Sequence, residues 1–193
     1  EELFKQLKLD SSKKVILVTQ HSVSEEWENA GKQMEKTLAA VKSFNLPVVI
    51  IYPHADAGGR KIIKAINQER RNPNFYIFPS LLYKQFLALE REAAVWVGNS
   101  SAGMIESSSF KTPVVNVGTR QLGRQHGDNV INAGYSRSEI KKVMEKSLND
   151  KDYLKKLSKI KNPWGDGKTG PRVIKILEDL KLDSKLLIKQ ITY

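Results

Sequence analysis

The sequence predicts a doubly wound, Rossmann-like α/β domain, a parallel sheet of about six strands with helices on both faces. Three observations lead there. Short β-branched runs alternate with longer amphipathic stretches over 193 residues, which is the pattern of successive βα units. One of the strand candidates is a continuous apolar run, as a strand buried on both faces must be. Hydrophobic residues make up 40% and charged residues 27% of the chain, enough apolar material for one core of this length and ordinary for a soluble globular domain.

The first strand candidate is Val15-Ile16-Leu17-Val18-Thr19. A helix from about residue 25 to 44 should follow, with Trp27, Met34, Leu38 and Val41 on one face, Ser24 as N-cap, and Glu25-Glu26 meeting the positive end of the dipole. The second strand is the apolar run Val48-Val49-Ile50-Ile51-Tyr52, and its helix opens near Gly58-Gly59. Phe75-Tyr76-Ile77-Phe78 is the third strand, leading through Pro79-Ser80 into a helix over about 81–92. The fourth, Ala94-Val95-Trp96-Val97, ends at Gly98, and a helix over 104–110 separates it from the fifth, Val114-Val115-Asn116-Val117. After a loop rich in glycine and arginine, Asn129-Val130-Ile131 is the last strand. Helices over about 137–147 and 152–159 come next, then a turn at Asn162–Gly167 and a helix through Leu180 for which Pro171 is a suitable start. We therefore expect one domain over residues 1–193, with 181–193 a tail.

Composition removes several function classes. There is no cysteine, hence no disulfide, thiol nucleophile or thiolate metal site. His21, His54 and His126 lie far apart without metal-ligand spacing, so no metal is expected. No run of about 20 apolar residues and no signal peptide is present, so a cytoplasmic protein without a membrane partner is expected. The net charge of +11 could draw nucleic acid. However, the lysines fall at solvent-facing helix positions with no aromatic residues interleaved as stacking platforms, so nucleic acid is not expected as a partner. The first residue is glutamate rather than methionine, which leads us to expect a chain that begins inside a longer reading frame.

Ligands of doubly wound sheets bind at the carboxyl ends of the strands, so the chemistry is sought in those loops. After the fourth strand comes Gly98-Asn99-Ser100-Ser101-Ala102-Gly103, then Met104-Ile105-Glu106. Small residues at a helix start leave backbone N–H groups uncovered, and serine hydroxyls can donate to phosphate oxygens. Glu106, about a turn further on, could accept hydrogen bonds from ribose hydroxyls. The other reading, equally open on the motif, is that Asn99 and Ser100 merely cap a helix and Glu106 is solvated. The loop Gly118 to Gly127 carries Arg120 and Arg124, whose planar forks suit phosphate, or else it is a solvated basic loop. His21 at the end of the first strand suits an anion contact or a proton transfer, or is structural. In the loop after the second strand, His54 and Asp56 form a polar pair, with Asp56 partly explained by capping. Tyr83 and Phe86 share a helix face from which a ring could stack on a base, or pack in the core.

Taken in order, Val97-Gly98-Asn99-Ser100-Ser101-Ala102-Gly103 with Glu106, then Lys111-Thr112-Pro113-Val114-Val115-Asn116-Val117-Gly118-Thr119-Arg120-Gln121-Leu122-Gly123-Arg124, resemble the C-terminal domain of UDP-N-acetylglucosamine 2-epimerases, the hydrolysing group most of all. The resemblance runs from His21 to the Gly165-Asp166-Gly167 turn. It implies the C-terminal half of a GT-B-type two-domain enzyme with the sugar nucleotide in the cleft between the halves. It also implies a role for each loop: Ser100 and Ser101 at the pyrophosphate, with Asn99 and Gly103 in the same loop; Glu106 at the ribose; Phe86 against uracil; Arg120 near the phosphates; Asp56 among the substrate-binding residues; and His21 facing the β-phosphate and sugar. His54 stands where the hydrolysing group has asparagine. No cofactor is implied. UDP-N-acetylglucosamine and UDP are the implied ligands, the missing N-terminal domain with its carboxylate base is the implied partner, and the full-length protein is expected to be a homo-oligomer. A chain beginning at the hinge would hold UDP contacts but lack the base. The alternatives are the C-terminal domain of a GT-B glycosyltransferase, against which the Gly118–Arg124 loop argues, and a non-catalytic module that binds nucleotide sugars.

Overall fold

A computed structural model describes residues 2–188. Up to Pro163 the chain forms one compact unit, and from Trp164 onward it forms a second. The first is a six-stranded sheet in the order β3-β2-β1-β4-β5-β6, made of β1 (Val15–Thr19), β2 (Val48–Ile51), β3 (Phe75–Phe78), β4 (Ala93–Gly98), β5 (Val114–Val117) and β6 (Val130–Ala133). Every neighbouring pair is parallel. The chain starts at the middle, winds out to β3, and crosses back to place β4 beside β1. That reversal opens a crevice between the carboxyl ends of β1 and β4, where such sheets bind ligands.

Side chains of successive strand residues point to opposite faces, and both faces are covered. Ile16, Val18, Val95, Val97, Val115 and Val117 face a layer that includes Met34, Leu38 and Val41 of α2 (Ala30–Lys42), Ile62 and Ile66 of α3 (Gly59–Gln68), and Ile140 and Met144 of α7 (Arg137–Asn149). Val15, Leu17, Val49, Trp96 and Val114 face the other layer, with Phe4 of α1 (Glu2–Gln6), Leu89 of α4 (Tyr83–Glu92) and Met104 of α5 (Ser101–Ile105). Burial of this much aliphatic and aromatic surface, at roughly 25 cal/mol per Å², is the main stabilising force. Ser136 caps α7 by accepting from the Glu139 amide, and Asp150 caps α8 (Lys151–Leu157) by accepting from the amides of Asp152 and Tyr153.

Three expectations change. The helix expected over 25–44 begins as a 3-10 helix, Ser24–Asn29, whose N-cap is Val23 rather than Ser24, and α2 starts only at Ala30. The helix expected over 104–110 is two short ones, α5 and α6 (Ser107–Phe110), joined at Glu106. The Ser107 hydroxyl donates back to the Gly103 carbonyl, a side-chain bond to the i−4 carbonyl that competes with the backbone ladder and bends a helix. The single domain expected over 1–193 is two units, because the chain from Trp164 on packs as its own piece well before residue 181. This second unit holds α9 (Thr169–Glu178), with Pro171 in its first turn, and the short α10 (Ser184–Leu187). Part of the expected 181–193 tail, residues 189–193, lies outside the described residues.

Candidate functional site

Gly98 lets the crevice close. Its φ is +139°, and a Cβ there would lie 1.9 Å from the Thr19 carbonyl oxygen, so only glycine allows β4 to end this close to β1. Asn99 follows, 1% exposed. Its side-chain amide donates to the His21 carbonyl (2.9 Å) and its Oδ1 accepts from the His21 amide (2.7 Å). Its own carbonyl accepts from the Arg120 guanidinium (3.1 Å) and the Gln121 side chain (2.9 Å). One buried asparagine with every polar group satisfied thus fastens the loops after β1, β4 and β5 together. The Asn99 side chain is thus engaged by the His21 backbone.

His21 is buried, at 6% exposure. The exposed His54 ring stacks on it, centroids 4.3 Å apart and planes within 9°, and the His54 backbone N–H donates to His21 Nδ1 at 3.2 Å. Burial above all, then the nearby His54 and Arg120, lowers the His21 pKa to about 4, against a smaller opposing pull from Asp56. The ring is neutral at physiological pH. Two of the three histidines, far apart in sequence, thus meet face to face; no group of three or more His, Asp or Glu residues among those described could hold a metal.

Beside this pair, Ser22, Glu25, Glu26, Asp56, Thr119 and Arg120 line a polar depression. Glu26 is the brace of its far wall. Thr119 Oγ1 donates to Glu26 Oε1 and the Gln33 amide to Oε2, both at 2.6 Å, and the bond from Thr119 leads the causes that lower its pKa. Behind them Gly118, at φ +80°, sits where a Cβ would lie 2.2 Å from the Tyr135 ring. Arg124 turns away from the depression to donate to Gln121 Oε1 at 3.0 Å.

Ser100 and Ser101, both half-buried, open α5; Ser100 occupies the N-cap position, and its side chain makes no capping bond. Gly103 is buried where α5 meets the sheet, and a Cβ on it would make ordinary van der Waals contact with Val114 and Trp96. Glu106 is half-buried at the α5–α6 junction, and burial raises its pKa. Behind it lies Glu90 on α4, fully buried, neither carboxyl oxygen having a hydrogen-bond partner. Burial and then the charge of Glu106 push the Glu90 pKa up to about 8, so this carboxyl stays protonated near neutrality. Phe86 is half-buried with its ring edge-on to Trp96, centroids 5.7 Å apart, and Trp96 donates to Thr19 Oγ1 at 2.7 Å. Tyr83, on the same helix, is exposed.

The structure thus gathers His21, His54, Asp56, Asn99 and Arg120 at the ends of β1 and β4, and Ser100, Ser101 and Glu106 on the helix pair that leaves β4. The sequence reading passed over Ser22, Glu26, Gln121 and Glu90. From sequence, Glu26 reads only as a partner of the helix dipole. Gln121 carried a signal, since it lies inside the Gly118–Arg124 motif.

A family model described as UDP-N-acetylglucosamine 2-epimerase matches residues 1–178. The hydrolysing UDP-N,N'-diacetylbacillosamine 2-epimerase of Legionella pneumophila is 33% identical over 180 residues, covering 93% of this chain and 46% of that protein. A UDP-N-acetylglucosamine 2-epimerase of Neisseria meningitidis is 36% identical over 93 residues, covering 48% of this chain and 24% of its own. Among solved structures, UDP-GlcNAc 2-epimerase from Neisseria meningitidis bound to UDP-GlcNAc superposes with a TM-score of 0.73 at 18% identity, over 93% of this chain and 50% of that one. At that identity the likeness speaks for the fold. The chain spans less than half the length of these curated relatives.

Proposed function

The chain belongs to the UDP-N-acetylglucosamine 2-epimerase family, whose model it matches over residues 1–178, and from that premise we propose that it is the nucleotide-binding half of such an enzyme, of the hydrolysing type. In this reading Ser100, Ser101 and the uncovered amides at the start of α5 hold the diphosphate, Glu106 holds the ribose, Phe86 lies at the uracil, and Arg120 lies near the phosphates. The observation that supports it is that Arg120 and the start of α5 meet at Asn99, at the carboxyl end of β4. The hydroxyl-bearing start of α5 and the Arg120 fork are tied through the Asn99 backbone to the same strand end, beside a carboxylate only partly withdrawn from solvent.

The reaction proposed for the longer protein has two stages. A carboxylate base removes the C2 proton of UDP-N-acetylglucosamine as the C1–O bond breaks. The electron pair of that bond leaves with UDP, and a C1=C2 glycal remains. Water then adds across the double bond, giving N-acetylmannosamine. The departing diphosphate gains negative charge as the bond breaks, so fixed donors aimed at it lower the barrier. Arg120 and the start of α5 supply such donors. The C2 base is assigned to the other half of the longer polypeptide, the implied partner of this chain.

The test is calorimetric titration of the chain with UDP, repeated with Ser101→Ala and Glu106→Ala. Each substitution removes a hydrogen bond to a charged group or from one, so a loss of about tenfold in affinity per variant is expected. Equal binding by all three proteins would move the nucleotide site elsewhere. For the activity, the longer polypeptide supplied with UDP-N-acetylglucosamine should release UDP and N-acetylmannosamine. UDP-N-acetylmannosamine as the product would assign the non-hydrolysing type instead.

A further inference from the structure

We propose that His54 is a positioning residue for His21: the loop after β2 holds the His21 imidazole in one neutral tautomer, Nδ1 accepting and Nε2–H donating, so that His21 serves as a hydrogen-bond donor and not as a base.

The geometry constrains the ring on three sides. An amide N–H can donate only to a nitrogen with a free lone pair, so the bond from the His54 amide to Nδ1 puts the proton of the neutral ring on Nε2. The His54 ring covers one face of His21 in a near-parallel stack, which keeps water from that face. The His21 backbone is pinned by Asn99 through both its N–H and its carbonyl, which fixes the side chain's origin. Of the charged neighbours that bear on the ring, Arg120 works against an imidazolium and Asp56 works for it, the burial of the ring weighing more than either. The two contributions of residue 54 are separable. The amide would set the tautomer whatever the side chain, whereas the stacked ring adds to the burial that keeps His21 uncharged.

The chemical consequence rests on the nucleotide-sugar reading above for what His21 meets. With Nδ1 occupied and Nε2 carrying a proton, the imidazole has no lone pair to accept the C2 proton, so that proton goes to another group. The Nε2–H can instead donate to a diphosphate oxygen as the C1–O electron pair moves onto it, with no proton changing hands. Because the donor is neutral, it strengthens as that oxygen gains charge without holding the diphosphate product by full ion pairing.

Nitrogen-resolved NMR of the imidazoles in the chain tests this directly. In the unmodified protein, His21 should keep an unprotonated Nδ1 and a protonated Nε2 from about pH 5 to 9. In His54→Ala the amide bond remains and the lid is gone, so the tautomer should persist while the titration midpoint rises by about one unit or more toward the ordinary histidine value. His54→Phe restores a flat, uncharged ring and should return the midpoint close to its original position. The UDP affinity lost in His21→Gln should be pH-independent in the parent, whereas in the His54→Ala background it should grow several-fold on acidification, as His21 gains charge. A protonated Nδ1 in the parent, a midpoint near the ordinary value, or a midpoint unmoved by His54→Ala would overturn the proposal. Absence of UDP binding with the ring behaviour as stated would remove the nucleotide reading and leave the tautomer assignment standing.

Discussion

Glu90 and His21 carry opposite liabilities. Glu90 is buried with no partner for either carboxyl oxygen, and its pKa of about 8 lies above the 4.5 of an unperturbed glutamate. Below 4.5 both folded and unfolded states hold the proton, so stability is fully present there. As pH rises toward 8 the unfolded chain alone releases it, and stability falls by about 1.4 kcal/mol per pH unit. Glu90→Leu should erase that slope and exceed the parent in stability at pH 8 by a few kcal/mol, with the difference shrinking near pH 5. Urea unfolding at several pH values reads this, and parallel profiles would mean that Glu90 reaches water. His21 has the reverse sign: its folded pKa of about 4 lies below the ordinary 6.5, so its contribution is present above 6.5 and is lost as pH falls toward 4. His21→Gln should therefore be less acid-sensitive than the parent. Between about pH 4.5 and 6.5 the two slopes oppose each other, so single variants will reveal what the parent conceals. Neither residue's burial was legible from residue order. Glu90 sits in a Glu90-Arg91-Glu92 run that reads as a solvated helix end, and only the packing of α4 turns its first carboxyl inward.

At the scale of elements, the site depends on loops being held to one another. The 3-10 helix and the loop after β5 meet through Glu26, whose carboxylate accepts from Thr119 and Gln33. Charge-assisted bonds of this kind contribute about 1.5–3 kcal/mol before solvent competition. The Thr119 bond lies at an exposed edge, so Glu26→Ala should cost nearer 1 kcal/mol. It should also speed amide exchange in residues 119–124, where Arg120 resides. Thr119→Ala combined with it should add little further, and full additivity in that cycle would show that the two groups do not interact. Gly98→Ala should be far more severe, more than about 3 kcal/mol, because the added methyl meets backbone at a strained φ. A cooperative unfolding transition near that of the parent would mean that β1 and β4 can separate without loss. The glycine was visible in the sequence as the end of a strand. The helix after it, expected as one piece over 104–110, starts at Ser101 and breaks at Glu106, because the back-bonding of Ser107 has no signature in hydrophobic spacing.

For the whole molecule, the division into two units is the feature that the expected single domain missed. The first unit has a core on both faces of its sheet. In the second, no residue of α9 is buried, and Val173, Ile174, Ile176 and Leu177 are 45–64% exposed. A helix without burial has little beyond its own weak propensity to hold it. Amides of α9 should therefore exchange orders of magnitude faster than those of β1 and β4 in hydrogen-exchange mass spectrometry. Protection of α9 equal to that of the strands in the isolated chain would contradict this. Replacing Ile176 and Leu177 by lysine should change the unfolding midpoint of the chain little, within about 0.5 kcal/mol.

The strands, their parallel arrangement and the loops that carry serine, arginine and histidine could all be read from residue order. Periodicity and clusters of small polar residues are local signals, and local signals survive without a structure. Which of those loops touch is another matter. His21 and His54 stand 33 positions apart and meet because β1 and β2 pair in parallel, whereas Glu26 and Thr119 stand 93 apart and meet because the crossover places β4, and β5 next to it, beside β1. That choice belongs to the packing of the whole sheet, as do the burial of Glu90 and the neutrality of His21, since desolvation depends on what surrounds a group and not on its neighbours in sequence.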